Sequence, residues 1–206
     1  MHRFGWLAAC VLFTSLPSSG QEPQKPSYDA LVAQARKGEA VDFTRMRIAF
    51  TETPAYNPIA IDENSNRMNE AYATLDHAAA AAAAEKVLAK KFVDLAAQRI
   101  ASASYKELGQ KERADFHQKM YAALLQSIRQ SGTGQSADKA YVVIGADEEY
   151  ELLEQTGYRA NKQALVKEKD QYFDRLDAIQ RASNKIEPIF FNVTIQFQAL
   201  ARLLKR

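Results

Sequence analysis

Cysteine is almost missing from this chain: Cys10 is the only one in 206 residues. No disulfide can form within the molecule, and a thiolate metal centre is excluded. Histidine is nearly as scarce, at three residues. Neither His77 nor His117 belongs to an H-E-x-x-H or similar ligand pair, so no metal and no cofactor is expected. Asp76 and Asp115 stand beside these histidines, which leaves a carboxylate–imidazole cluster across packed helices as the alternative. No charge of one sign dominates, with 27 basic against 25 acidic residues and a net charge of +2. That balance, without a lysine- or arginine-rich block, excludes a nucleic-acid surface. Serine nucleophile motifs are absent too: no G-x-S-x-G elbow occurs.

The one long uncharged apolar run is Phe4–Leu16. It follows His2-Arg3 and precedes the helix breaker and small residues Pro17-Ser18-Ser19-Gly20. This is the pattern of a secretory signal peptide over residues 1–20, too short for a transmembrane span. Export to the bacterial periplasm or beyond is therefore expected. Leu7-Ala8-Ala9-Cys10 also matches a lipobox, which would anchor the chain through Cys10. Against the anchor, the apolar run continues past Cys10 to Leu16, where a lipoprotein would turn polar.

Residues 21–26 read as a polar, disordered leader. Residues 27–206 then form a single α+β domain, helical over 27–130 and strand-rich over 131–206. Ser27 and Asp42 are expected to cap two short helices separated by Gly38. Pro54 and Pro58 make residues 53–61 a loop. A longer helix is expected from Ser65, through the unbroken Ala78–Ala84 run, to Leu88, since alanine is the strongest helix former. A further hairpin follows, lined by Phe92, Leu95 and Ile100 on one helix and by Phe116, Met120, Leu124 and Ile128 on the other. The Tyr-x-x-Leu-Gly ending at Tyr105–Gly109 suggests tetratricopeptide-type packing, although no strict repeat of about 34 residues can be laid on the chain.

From Lys139 the pattern changes. Ala140–Ile144 reads as a buried strand, and Asp147 as the cap of a short helix ending at Gly157. Strands are expected over Gln163–Lys169 and Tyr172–Ile179. Ile189, Phe191, Val193, Ile195 and Phe197 alternate with mostly polar neighbours, predicting a last strand over 189–197. The expected architecture is an N-terminal array of about five or six helices in hairpins, packed against a small C-terminal antiparallel sheet with a short inserted helix.

Several stretches carry a resemblance. Val41-Asp42-Phe43, Arg47, Ala49-Phe50, Thr53 and Tyr56-Asn57-Pro58 supply its N-terminal part. Ser127-Ile128, Ser131–Gly134, Ala140–Ile144, Glu148-Glu149-Tyr150 and Phe190–Val193 supply its C-terminal part. Together they resemble an uncharacterised bacterial family, the domain of unknown function 4919. Thr133 stands where the resemblance leads one to expect an aspartate. The family offers no activity to carry over, so the resemblance implies one fold over nearly the whole chain, and export, but no mechanism.

Two motifs remain as chemistry. The Gly132–Ser136 loop lies between a helix and a strand in the wrong order for a phosphate cradle, and chain reversal accounts for its glycines. Asp147, Glu148 and Glu149 bring three carboxylates to the first turn of a helix, where its dipole favours negative charge. Glu148, Glu149 and Tyr150 are the candidate functional patch. The expected function is a non-catalytic interaction or scaffold module that binds another envelope protein or an extended peptide. The alternative is an enzyme or small-ligand binder with an acidic site at the helix–sheet junction.

Overall fold

The computed structural model describes residues 26–205, so the expected signal peptide and most of the leader lie outside the described residues. The first helix, α1 (Tyr28–Arg36), starts where expected: the Ser27 hydroxyl accepts from the Ala30 amide. Asp42 likewise caps α2 (Phe43–Thr51) by accepting from the Arg45 amide at 2.9 Å. These caps satisfy amides that have no partner within the helix.

The long helix expected from Ser65 is in fact two. Asp62, not Ser65, caps α3 (Glu63–Ala73), and Asp76 caps α4 (His77–Lys90). Between them the Thr74 hydroxyl bonds back to the Glu70 and Ala71 carbonyls, and Leu75 adopts a left-handed φ of 61°. Local side-chain competition for the backbone outweighs the propensity of the alanines on either side. Those alanines still shape the packing. Ala80, Ala81 and Ala84 are buried, and α4 lies against both α3 and α5 (Leu95–Glu107). The next helix is α6 (Lys111–Arg129). Met68, Val87, Leu88, Ile100 and Tyr105 complete a cluster within this helical stack.

The strand-rich part contains β1 (Tyr141–Val142), α7 (Ala146–Gln155), β2 (Tyr158–Glu168), β3 (Gln171–Gln180), β4 (Ile186–Asn192) and α8 (Thr194–Leu203). The sheet order is β1-β4-β3-β2. β2, β3 and β4 are antiparallel, but β1 pairs with β4 in parallel, so the sheet is mixed rather than antiparallel. The expected last strand stops early. Asn192 Oδ1 accepts from the Thr194 amide at 3.1 Å, the chain turns, and α8 begins. Ile195 and Phe197 still pack on the core, with Phe197 stacked on Tyr172 at 4.6 Å between centroids. Apolar burial at alternate positions is therefore met by a strand followed by a helix.

A second cluster joins the two parts. Leu31, Met46, Phe50 and Leu124 from the helices meet Ile144, Leu152, Leu176 and Phe191 from the strand-rich region.

Candidate functional site at the helix–strand junction

Arg47 lies on the apolar face of α2, between Met46 and Phe50, and is 1% exposed. Its partner is Glu148, in the first turn of α7 and equally buried. Arg47 donates from Nε to Oε1 at 2.8 Å and from Nη2 to Oε2 at 2.5 Å. It also donates to the Val142 carbonyl at 2.8 Å and to the Ser127 hydroxyl at 3.3 Å. Glu148 Oε2 accepts a further bond from the Ile144 amide at 2.9 Å. A bidentate pair with its remaining donors satisfied can persist away from water. Just beside it the Tyr56 hydroxyl donates to the Ile144 carbonyl at 2.7 Å, and burial, then the Glu148 charge, hold that phenol above its ordinary range.

Arg47, Tyr56, Ser127, Val142, Ile144 and Glu148 are all among the residues that carry the family resemblance. The fold gathers them into one hydrogen-bonded cluster across 101 positions of sequence. Every guanidinium nitrogen of Arg47 and both oxygens of Glu148 are engaged. Such a cluster clamps α2 and α6 to β1 and α7, with no group left to act on a ligand.

The three acids expected to share a cap do three different things. Gly145 is the N-cap of α7, and its extended backbone leaves Asp147 as the second helical residue rather than the cap. Asp147 points outward to Lys91 at 2.6 Å. Glu149 is wholly buried, and no hydrogen bond reaches either carboxyl oxygen. Burial first, and then the charges of Asp174 and Asp147, push its pKa up to about 8, and the nearby Gln196 amide opposes them only in part. Asp174, on β3, is raised by burial as well. Tyr150, the third residue of the candidate patch, is 48% exposed, and its hydroxyl donates to Gln163 Oε1 at 3.4 Å. The structure thus separates Glu148, Glu149 and Tyr150 into a clamp, an isolated carboxyl and a surface ring.

The glycine loop is closed by backbone hydrogen bonds. Thr133 and Gly134 both donate to the Lys139 carbonyl, at 2.9 and 2.8 Å, and the Phe190 amide donates to Gly134 at 2.8 Å. A Cβ at Gly132 would lie 2.4 Å from the Ala140 carbonyl oxygen, so close backbone approach selects glycine there.

The largest opening at the junction is a groove of 620 Å³ between the 55–62 loop, α3, the end of α4 and the start of α7. Lys91 sits on its wall, 2.6 Å from Asp147 and 3.2 Å from Asp94. Burial opposes the Lys91 charge, but Asp147 and Asp94 outweigh it and hold the ammonium above its ordinary range. Ile61, 83% exposed, belongs to the same wall. The sequence reading did not identify Arg47 or Lys91 as site residues. A charge at an apolar-face position of α2 was the available signal for Arg47, whereas Lys91 had none.

The histidines do not join Asp76 and Asp115. Asp76 caps α4, and Asp115 pairs with Lys111. The carboxylate beside His117 is Glu85 on α4, 3.4 Å from Nε2. Gln98 Nε2 donates to the Phe92 carbonyl, which turns its Oε1 to His117 Nδ1 at 2.8 Å. Glu85 also accepts from Arg113 at 2.8 Å and Tyr105 at 3.0 Å, and these bonds, that of His117 foremost, bring its pKa down to about 2. Among the described residues no three His, Cys, Asp or Glu side chains form a group able to hold a metal, and no helix is long and apolar enough to cross a membrane.

No curated protein and no solved structure matches the chain. The model of one family, described as a domain of unknown function (DUF4919), matches residues 38–202. That span runs from the approach to α2 into α8 and contains the whole Arg47–Glu148 cluster. The chain belongs to the DUF4919 family.

Proposed function

We propose that the protein is a non-catalytic interaction module of the bacterial cell envelope, holding an extended segment of a partner protein in the groove at the helix–strand junction. The groove is the observation that carries this reading. Its 620 Å³ falls in the roughly 300–1,000 Å³ range of ligand sites. Asn57, Asn66 and Asn69 offer amides suited to a peptide backbone, and Pro58 and Ile61 offer apolar contact to its side chains. The other large exposed apolar residues described in the helical part, Ile59, Leu75 and Leu108, lie at turns and not on helix faces. That distribution favours the groove over a helix face. The serial packing of α3 to α6 supports a tetratricopeptide-like array, an architecture suited to peptide binding. Placement in the envelope rests on Arg3, the Phe4–Leu16 run and the absence of cysteine after Cys10; a lipid anchor at Cys10 is the alternative to release.

A displayed library of random peptides, panned against the whole chain, should enrich sequences that bind the groove. Their affinity should fall about tenfold or more in Ile61→Glu and in Asn69→Trp, both at exposed positions. Failure to enrich, or enriched peptides indifferent to both variants, would sink the reading.

The enzyme alternative draws on Glu149, whose pKa of about 8 suits proton transfer near neutrality. That carboxyl is closed to solvent and is not part of the groove wall, so the interaction reading is preferred.

A further inference from the structure

A second opening lies on the helical part, between the end of α1, α4 and the start of α6, and shares no residue with the groove. We propose that it binds a free α-amino acid with a bulky apolar side chain. The volume is 280 Å³, close to the roughly 300 Å³ lower bound of ligand sites and enough for one such molecule. Leu88, Phe92 and Phe116 supply apolar wall.

Its charges fall into two groups. Arg113 and His117 are both held by Glu85, and Arg113 also stacks on Tyr105 at 3.8 Å. Arg36 and Glu112 are different. Both line the opening at exposed positions, and neither forms an ion pair with any described residue. The Arg36 guanidinium lies over the Phe92 ring at 5.1 Å, a contact that uses none of its N–H donors in a hydrogen bond.

A ligand bearing only a carboxylate would meet Glu112 unfavourably, and one bearing only an ammonium would meet Arg36. A zwitterion answers both, placing its carboxylate on Arg36, its ammonium on Glu112 and its side chain among the three apolar residues. Glycine would satisfy the charges and leave the apolar wall uncovered, so side-chain size sets the preference.

Titration of the full chain with L-phenylalanine, followed by calorimetry and amide chemical shifts, tests this directly. Saturable binding is expected, with shifts at Arg36, Leu88 and Phe116. Phenylpropionate, which lacks the ammonium, and phenethylamine, which lacks the carboxylate, should each bind about tenfold more weakly or worse, as should glycine. Arg36→Gln and Glu112→Gln should lose binding with unchanged melting, while Lys119→Gln, exposed elsewhere on α6, should retain it. No saturation at millimolar amino acid, equal binding of either one-charge analogue, or binding indifferent to both variants would overturn the assignment.

Discussion

At the scale of single residues, Glu148 and Glu149 show how two adjacent carboxylates acquire opposite characters. Glu148 meets a guanidinium and an amide, so its charge is compensated in the core. Glu149 meets neither, and the nearby Asp174 and Asp147 add to the cost of ionising it. Its raised pKa means that the folded chain binds this proton more tightly than the unfolded chain does. The resulting penalty is absent below the unfolded carboxyl range and grows as pH rises from about 5 through about 8. Denaturant midpoints of the wild type should therefore fall across that window. Glu149→Gln should flatten the fall and be the more stable protein near the alkaline end, by on the order of 3 kcal/mol. Parallel pH profiles for the two proteins would show that Glu149 is already ionised in the fold. Glu85 acts at the other extreme: its pKa is lowered to about 2, so its contribution is present above the unfolded carboxyl range and fades as pH falls toward that value.

At the scale of elements, the break between α3 and α4 can be tested through Leu75. This residue is 72% exposed and held at a φ of 61°, which disfavours any side chain with a Cβ. Leu75→Gly should stabilise the protein by about 1 kcal/mol, and Leu75→Val should destabilise it, both read from thermal melting. The opposite order would mean that the turn is not left-handed in solution. The same break marks a limit of reading structure from sequence. Ser27, Asp42 and Gly38 announced α1 and α2 because capping acts over three or four residues, within the reach of a sequence pattern. Ser65 was a plausible cap, but Asp62 lay three residues earlier and also gains Lys90 at 2.9 Å, a partner visible only in three dimensions. The alternation from Ile189 to Phe197 hid the start of α8, because period two was continued by burial against different neighbours. The parallel β1–β4 pairing was equally hidden, since α7, β2 and β3 intervene in sequence before β4 returns beside the first strand.

At the scale of the molecule, the helical part and the strand-rich part share one core, and the residues carrying the family resemblance lie where the two meet. The α+β class was legible from hydrophobic period and turn residues. The clamp was not, because Arg47 and Glu148 find each other only through the packing of α2 and α7 against α6. The groove depends on the same junction: Tyr56, Ile144 and Asp147 line it, and Tyr56 and Ile144 are hydrogen-bonded beside the clamp. The acidic stretch after β1 assembles the junction, and the groove lies beside it. The most direct measurement is a double-mutant cycle of Arg47→Met and Glu148→Gln by urea unfolding of the full chain. Each single change should cost about 3–5 kcal/mol, because it strands a buried charge. The double variant should recover about 1–3 kcal/mol of the summed loss. Additive losses, or single variants as stable as the wild type, would contradict the clamp.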